Sequence, residues 1–248
     1  MTVGSVCLAP LMVVSEVLTL GAGLFSTVLC GRCECRPSPR RGEVPILLIH
    51  GSGFNQSEWL PLRGYLAADG RVGPLYTVNY GGLLSGDKTA SIQDLARMHI
   101  MPKLEEMFQD TRMRRAILVG HSLGGLIAAE VAERLSAPGE VTKVITLCSP
   151  FFGVPLLEYC CVSSVTDEQM REGSTYLMAL RLGIQEKERR GEGPLYYNLT
   201  SELDLIVPSG RAVIATDRAR VRVLGGIEGH WGIVLSPRVW RQVKEWIL

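Results

Sequence analysis

The chain turns from strand to helix within a few residues at Gly120-His121-Ser122-Leu123-Gly124, and no other feature restricts its fold so tightly. The apolar run Ala116–Val119 leads into the turn, and Gly125-Leu126-Ile127 opens a helical pattern behind it. So sharp a turn holds its central residue in a strained backbone conformation and leaves no room for side chains at the flanking positions. Glycine at both flanks meets that demand. The turn then lifts the Ser122 hydroxyl above the sheet, near the positive end of the following helix. A Gly-rich helix start with a structural serine is the competing reading, and the strand and helix on either side argue against it.

Such a unit must be buried by others like it, and the rest of the chain supplies them. Val44–Ile49, Leu75–Asn79, Val141–Leu147, Leu195–Leu199 and Arg220–Leu224 read as strands. Ser57–Ala68 (with Ser57 as its cap), Ile92–Phe108, Leu126–Leu135 and Pro237–Ile247 read as helices. Strand and helix in alternation predict right-handed βαβ units: an α/β fold, residues 44–248, with a mostly parallel central sheet covered by helices on both faces. A chain of 248 residues, 46% hydrophobic and 21% charged, can bury that core. Phe151 to Gly193 breaks the rhythm, starting apolar and ending in the charged pattern Glu186 to Arg190. It reads as an insertion, about 151–193, forming a lid or cap over the carboxyl edge of the sheet, where α/β ligands bind.

A serine hydroxyl is a weak nucleophile until a base takes its proton. Four histidines are available, and three fit poorly. His50 lies in the loop after the first strand, His99 lies in a helical pattern, and His121 points away from its neighbour Ser122. His230, in the loop before the last helix, remains as the base. The orienting carboxylate should follow a strand between Ser122 and His230, which selects Asp204, with Glu202 and Asp217 as alternates. Charge building on a carbonyl oxygen needs fixed donors. The N–H of Leu123 is one. Another comes from His50-Gly51-Ser52-Gly53, where Ser52 is the first choice and Gly53 or Phe54 the alternatives. His50, Gly51, Gly53, Phe54 and Phe151 are candidates for contact with substrate. Asn55, Trp59 and Tyr80 are further candidates for the pocket wall, Trp59 equally for the core.

Residues 1–31 are apolar, and between Thr2 and Gly31 the only charge is Glu16. The length suffices to span a bilayer, and the surrounding Leu, Val and Phe outweigh one central charge. A cleaved signal peptide would want a basic start and a shorter apolar core, and a buried helix would be interrupted by Pro10 and Gly21–Gly23. A membrane anchor is the expectation, followed by a linker at 32–43. Arg32, Arg36, Arg40 and Arg41 follow the stretch, which places the rest of the chain on the cytoplasmic side. Cys30, Cys33 and Cys35 stand where palmitoylation occurs beside membrane helices. Seven cysteines without regular spacing resemble neither a disulfide framework nor a zinc site, so no metal or other cofactor is expected. With 26 basic and 25 acidic side chains and no basic stripe, no nucleic-acid partner is expected.

Several segments resemble the lipases and esterases of the α/β-hydrolase superfamily. Gly-His-Ser-Leu-Gly-Gly at 120–125 is similar to the lipase form of the nucleophile turn. His50-Gly51 resembles the oxyanion loop of bacterial triacylglycerol lipases, Ser149-Pro150-Phe151-Phe152-Gly153 their lid-opening segment, and Asp204-Leu-Ile-Val-Pro208 the superfamily's acid loop. The lid segment usually carries His where this chain has Phe151. The resemblance covers Val44 to Leu248 and implies an α/β-hydrolase fold and a serine hydrolase with the triad Ser122, Asp204 and His230. An ester substrate, hinted to be a lipid by the apolar N-terminus, is expected. A thioesterase, an acyltransferase or a non-catalytic binding protein on the same fold are the alternatives.

Overall fold

The computed structural model describes residues 42–81, 88–159, 164–214 and 216–248. The expected membrane anchor, most of the linker and all cysteines but Cys148 lie outside these residues. Among them, no helix is long and apolar enough to cross a membrane.

Six strands form one sheet in the order β2-β1-β3-β4-β5-β6: β1 (Ile46–Ile49), β2 (Leu75–Val78), β3 (Ala116–His121), β4 (Val141–Leu147), β5 (Leu195–Ser201) and β6 (Arg220–Leu224). Every neighbouring pair is parallel. The strand β1 is buried along its whole length, and its alternate side chains feed two cores. Leu47 and Ile49 join Leu118, Val144 and Tyr196 in one; Ile46 and Leu48 join Ile117, Val119 and Ile145 in the other. This two-sided burial explains why the strands read as continuous apolar runs rather than alternating ones.

The helices divide between the two faces. Helices α1 (Leu60–Ala67) and α7 (Pro237–Ile247) cover the second core with Leu62, Leu66, Val239, Val243 and Trp246. The first core is covered by α2 (Ile92–Leu95), α3 (Met101–Thr111), α4 (Leu123–Glu130) and, beyond the short α5 (Val165–Gln169), α6 (Thr175–Arg189). A π-helical turn, Ala96–Ile100, joins α2 to α3, and another, Val131–Leu135, continues α4.

Two expectations are corrected. The first helix is capped by Asn55, not Ser57: the Asn55 Oδ1 accepts from the Ser57 N–H at 2.9 Å and from its hydroxyl at 2.7 Å, ahead of the 3-10 turn Gln56–Trp59. The segment 151–193 is not one insertion. Its second half is α6, whose Tyr176, Leu177, Leu180 and Ile184 are buried in the first core. Parallel neighbours β4 and β5 require a crossover, and α6 supplies it. Only residues before Thr175 stand apart from the βαβ pattern.

Chain order in the sheet reverses beside β1: β2 lies on one side of it, and β3 to β6 follow on the other. Open α/β sheets bind ligands at such a switch point, at the carboxyl ends of the strands. Here that position belongs to the loops after β1 and β3.

Candidate active site

Ser122 sits between β3 and α4 with φ 52° and ψ −122°, a conformation that costs a non-Gly residue about 1–3 kcal/mol. The flanking glycines are sterically required. A Cβ on Gly120 would run into the backbone of Gly124 and Gly125, and one on Gly124 into the carbonyls of Ile49 and His50. The turn therefore packs directly against the end of β1.

Ser122 Oγ lies 3.0 Å from His230 Nε2, and His230 Nδ1 lies 2.8 Å from Asp204 Oδ2. Asp204 is only 3% exposed. Its Oδ1 accepts from the backbone N–H groups of Ile206 and Val207 at 2.9 and 2.7 Å. Burial works against its charge, but the hydrogen bond and charge of His230, the Val207 N–H and the Cys148 thiol together hold its carboxyl below the ordinary carboxylate range. An ionised Asp204 accepts the Nδ1 proton, which leaves Nε2 free to accept from the Ser122 hydroxyl. The two alternates for the acid do not compete, since neither Glu202 nor Asp217 takes this position beside His230.

The loop after β1 is held from behind. The His50 ring is fully buried and stacks on Tyr80, with centroids 4.0 Å apart and planes within 4°. Burial lowers its affinity for a proton, though the Gly51 carbonyl acts the other way. The neutral ring donates from Nδ1 to that carbonyl at 2.8 Å and accepts the Tyr80 N–H at Nε2, while the Tyr80 hydroxyl donates to the His50 carbonyl at 2.5 Å. His50 and Tyr80 thus shape the loop rather than meet a substrate. Gly51 is close enough to Ser122 that a Cβ there would stand 3.4 Å from the Ser122 Cβ. Ser52 is exposed, Gly53 takes φ 79°, and Phe54 is buried. Leu123 opens α4, where backbone N–H groups have no intrahelical acceptor. Asn55 is occupied as a cap, and Trp59 and Phe151 are fully buried core side chains. Phe151 presents no surface to a ligand.

Sequence reasoning assigns no role to three further residues of the site. Cys148 follows β4 with φ 49°, is buried, and directs its thiol to Asp204. Glu58 and His121 form a buried pair, Oε1 to Nδ1 at 2.6 Å. Among the described residues, Cys148, Asp204 and His230 also bring metal-capable atoms within 4.8 Å of one another. Asp204 and His230 are already hydrogen-bonded to each other there. A cavity of about 510 Å³ lies at the opposite edge of the sheet, between Ile46, Ile117, Lys143, Leu195 and Ile247, and holds none of these groups.

Residues 46–248 match the alpha/beta hydrolase family. A pimeloyl-[acyl-carrier protein] methyl ester esterase of Pectobacterium carotovorum is 34% identical over 108 residues, 44% of this chain and 38% of that protein. The chain thus spans about two fifths of the length of the curated relatives it matches. Phospholipase PlaB of Legionella pneumophila superposes with a TM-score of 0.69 at 14% identity, over 83% of this chain and 60% of that one. The Bacillus licheniformis lipase BlEst2 in its mature form gives 0.62 at 17%, over 83% and 94%. These structures share the fold. With the family match spanning the sheet from β1 to the last helix, the chain belongs to the alpha/beta hydrolase family.

Proposed function

We propose that this hydrolase is a carboxylic ester hydrolase that works through an acyl-enzyme on Ser122. The chain of hydrogen bonds from Ser122 through His230 to Asp204, at 3.0 and 2.8 Å, carries the reading. His230 takes the hydroxyl proton as Ser122 Oγ attacks the acyl carbonyl, then returns it to the leaving alkoxide. Water enters, gives a proton to His230 and attacks the acyl carbon; the bond to Ser122 Oγ breaks, His230 returns the proton to that oxygen, and the acid leaves. The Leu123 N–H and a donor of the Ser52 loop receive the charge on the carbonyl oxygen.

A lipid ester is the substrate class this reading favours. Phe152, Leu156 and Leu205 are exposed apolar side chains on the segments that follow β4 and β5, at the carboxyl edge that carries Ser122. The apolar segment 1–31 would hold the enzyme at a membrane, with the domain on its cytoplasmic side. The curated relative named for a methyl ester on an acyl-carrier protein supports ester cleavage, and makes a methyl ester carried on such a protein the second substrate to try.

A fluorophosphonate probe tests the chemistry: it should label the wild type and leave Ser122→Ala unlabelled. Equal labelling of both, or of neither, ends the reading. A p-nitrophenyl ester series from acetate to palmitate, with and without detergent, then tests the lipid preference. Rates that fall steadily with chain length would refute it.

A further inference from the structure

One buried charged pair of the site plays no part in the mechanism above, yet it touches each moving part. Glu58, in the turn after β1, accepts the Gly51 N–H at Oε2, 3.0 Å away. Its other oxygen faces His121 Nδ1 at 2.6 Å. The opposite ring nitrogen, His121 Nε2, donates to the backbone carbonyl of His230 at 2.8 Å. A carbonyl can only accept, so Nε2 carries a proton, and the carboxylate at Nδ1 calls for a second. Burial opposes that charge, but Glu58, the His230 carbonyl and the charge of Asp204 outweigh it, so the ring holds its proton more tightly than a free histidine. The pair is almost fully buried, with side-chain exposures of 1% and 2%.

We propose that Glu58 and His121 are positioning residues, an internal ion pair that fixes the loop after β1, the nucleophile turn and the His230 loop relative to one another. His121 adjoins Ser122 in sequence, Glu58 holds Gly51, and the ring holds the main chain of His230. Gly51 is packed so closely that a Cβ on it would stand 2.8 Å from His121 Nδ1. The inference rests on Ser122 being the nucleophile. Burial of both ions needs a return in specificity of structure, and the return here is the register of three separate loops.

The titratable groups facing the His121 ring are Glu58 after β1, His50 at its end, Asp204 after β5 and His230 itself, whose ring centroid lies 5.1 Å away. His121→Gln removes the positive charge from this group and leaves the charge of Glu58 buried without its partner. Glu58→Gln and His121→Gln should each lower kcat/KM for p-nitrophenyl butyrate about 10- to 100-fold, mostly in kcat, because misplacement of about 1 Å has that effect. The double variant should lose little more than the worse single one, as expected of residues that act as a unit.

Near-normal activity in either single variant, a loss carried mainly in KM, or losses that multiply in the double variant would overturn the proposal. Should the variants fail to fold, nitrogen NMR of the wild-type histidines decides. Both ring nitrogens of His121 protonated from pH 6 to 8 upholds the pair, and a neutral ring refutes it. Fluorophosphonate labelling of the wild type separates this outcome from failure of the Ser122 reading: an unlabelled wild type removes the nucleophile, and the proposal with it.

Discussion

Asp204 holds His230 through one carboxylate oxygen, at 2.8 Å, while its other oxygen is fixed by two main-chain N–H groups, of Ile206 and Val207. A carboxylate so held sets the imidazole tautomer, and an amide in its place would present a donor to Nδ1 and reverse that tautomer. Asp204→Asn should therefore lower kcat by about 10³- to 10⁴-fold with little change in KM. The same carboxyl affects stability. It binds a proton less readily in the folded chain than at its ordinary value of 3.8, so its contribution is complete above that value and lost as pH falls through its folded value. Melting curves of wild type and Asp204→Asn should stay apart down to pH 3.8. Convergence at a higher pH would contradict the assignment.

The backbone of Ser122 offers a test that separates strain from chemistry. Ser122→Ala and Ser122→Gly both remove the hydroxyl, but only glycine adopts φ 52° freely. The glycine variant should be the more stable by about 1 kcal/mol in urea denaturation, after allowing for its greater freedom when unfolded. Equal stability would mean that the turn is not strained.

Helix α6 is core by position, and two of its leucines distinguish that from a detachable cap. Leu180 is fully buried and Leu182 is 64% exposed. Leu180→Ala should cost about 2–5 kcal/mol, and Leu182→Ala should fall within about 0.5 kcal/mol of wild type. Similar small effects at both sites would return the whole segment to the status of an insertion.

Glu133 provides a titration of opposite sign to Asp204. Burial raises its carboxyl above the ordinary value of 4.5, although the Tyr196 hydroxyl donates to it at 2.6 Å and Lys187 lies near. A proton is bound more tightly in the folded chain, so stability is fullest below that ordinary value and declines as pH rises through the folded one. Glu133→Gln keeps an acceptor for Tyr196 and should gain about 1 kcal/mol at pH 7, with the gain gone at pH 4. Loss of stability at pH 7 would show that the Lys187 pairing outweighs desolvation.

Much of the architecture could be read from apolar runs alone, because strands covered on both faces leave a signal as plain as Ile46–Ile49. The relation of Ser122, Asp204 and His230 was legible for a different reason: each lies in a loop after a strand of a parallel sheet, and parallel strands bring such loops to one edge. Phe151 misled because an apolar residue after a strand fits a pocket wall and a core equally well, and only packing decides. The cap of the first helix was displaced by two residues, since Asn55 and Ser57 are both competent acceptors. Glu58 and His121 could not be paired beforehand. Charged residues 63 positions apart carry no periodic signature, and burial of an ion pair depends wholly on tertiary contacts.

The first strand lies inside the sheet, between β2 and β3, with Glu43 just ahead of one end and His50 at the other. Four strand residues advance the chain about 13 Å. The chain therefore enters the sheet at its floor through β1, while Ser122 opens from its roof.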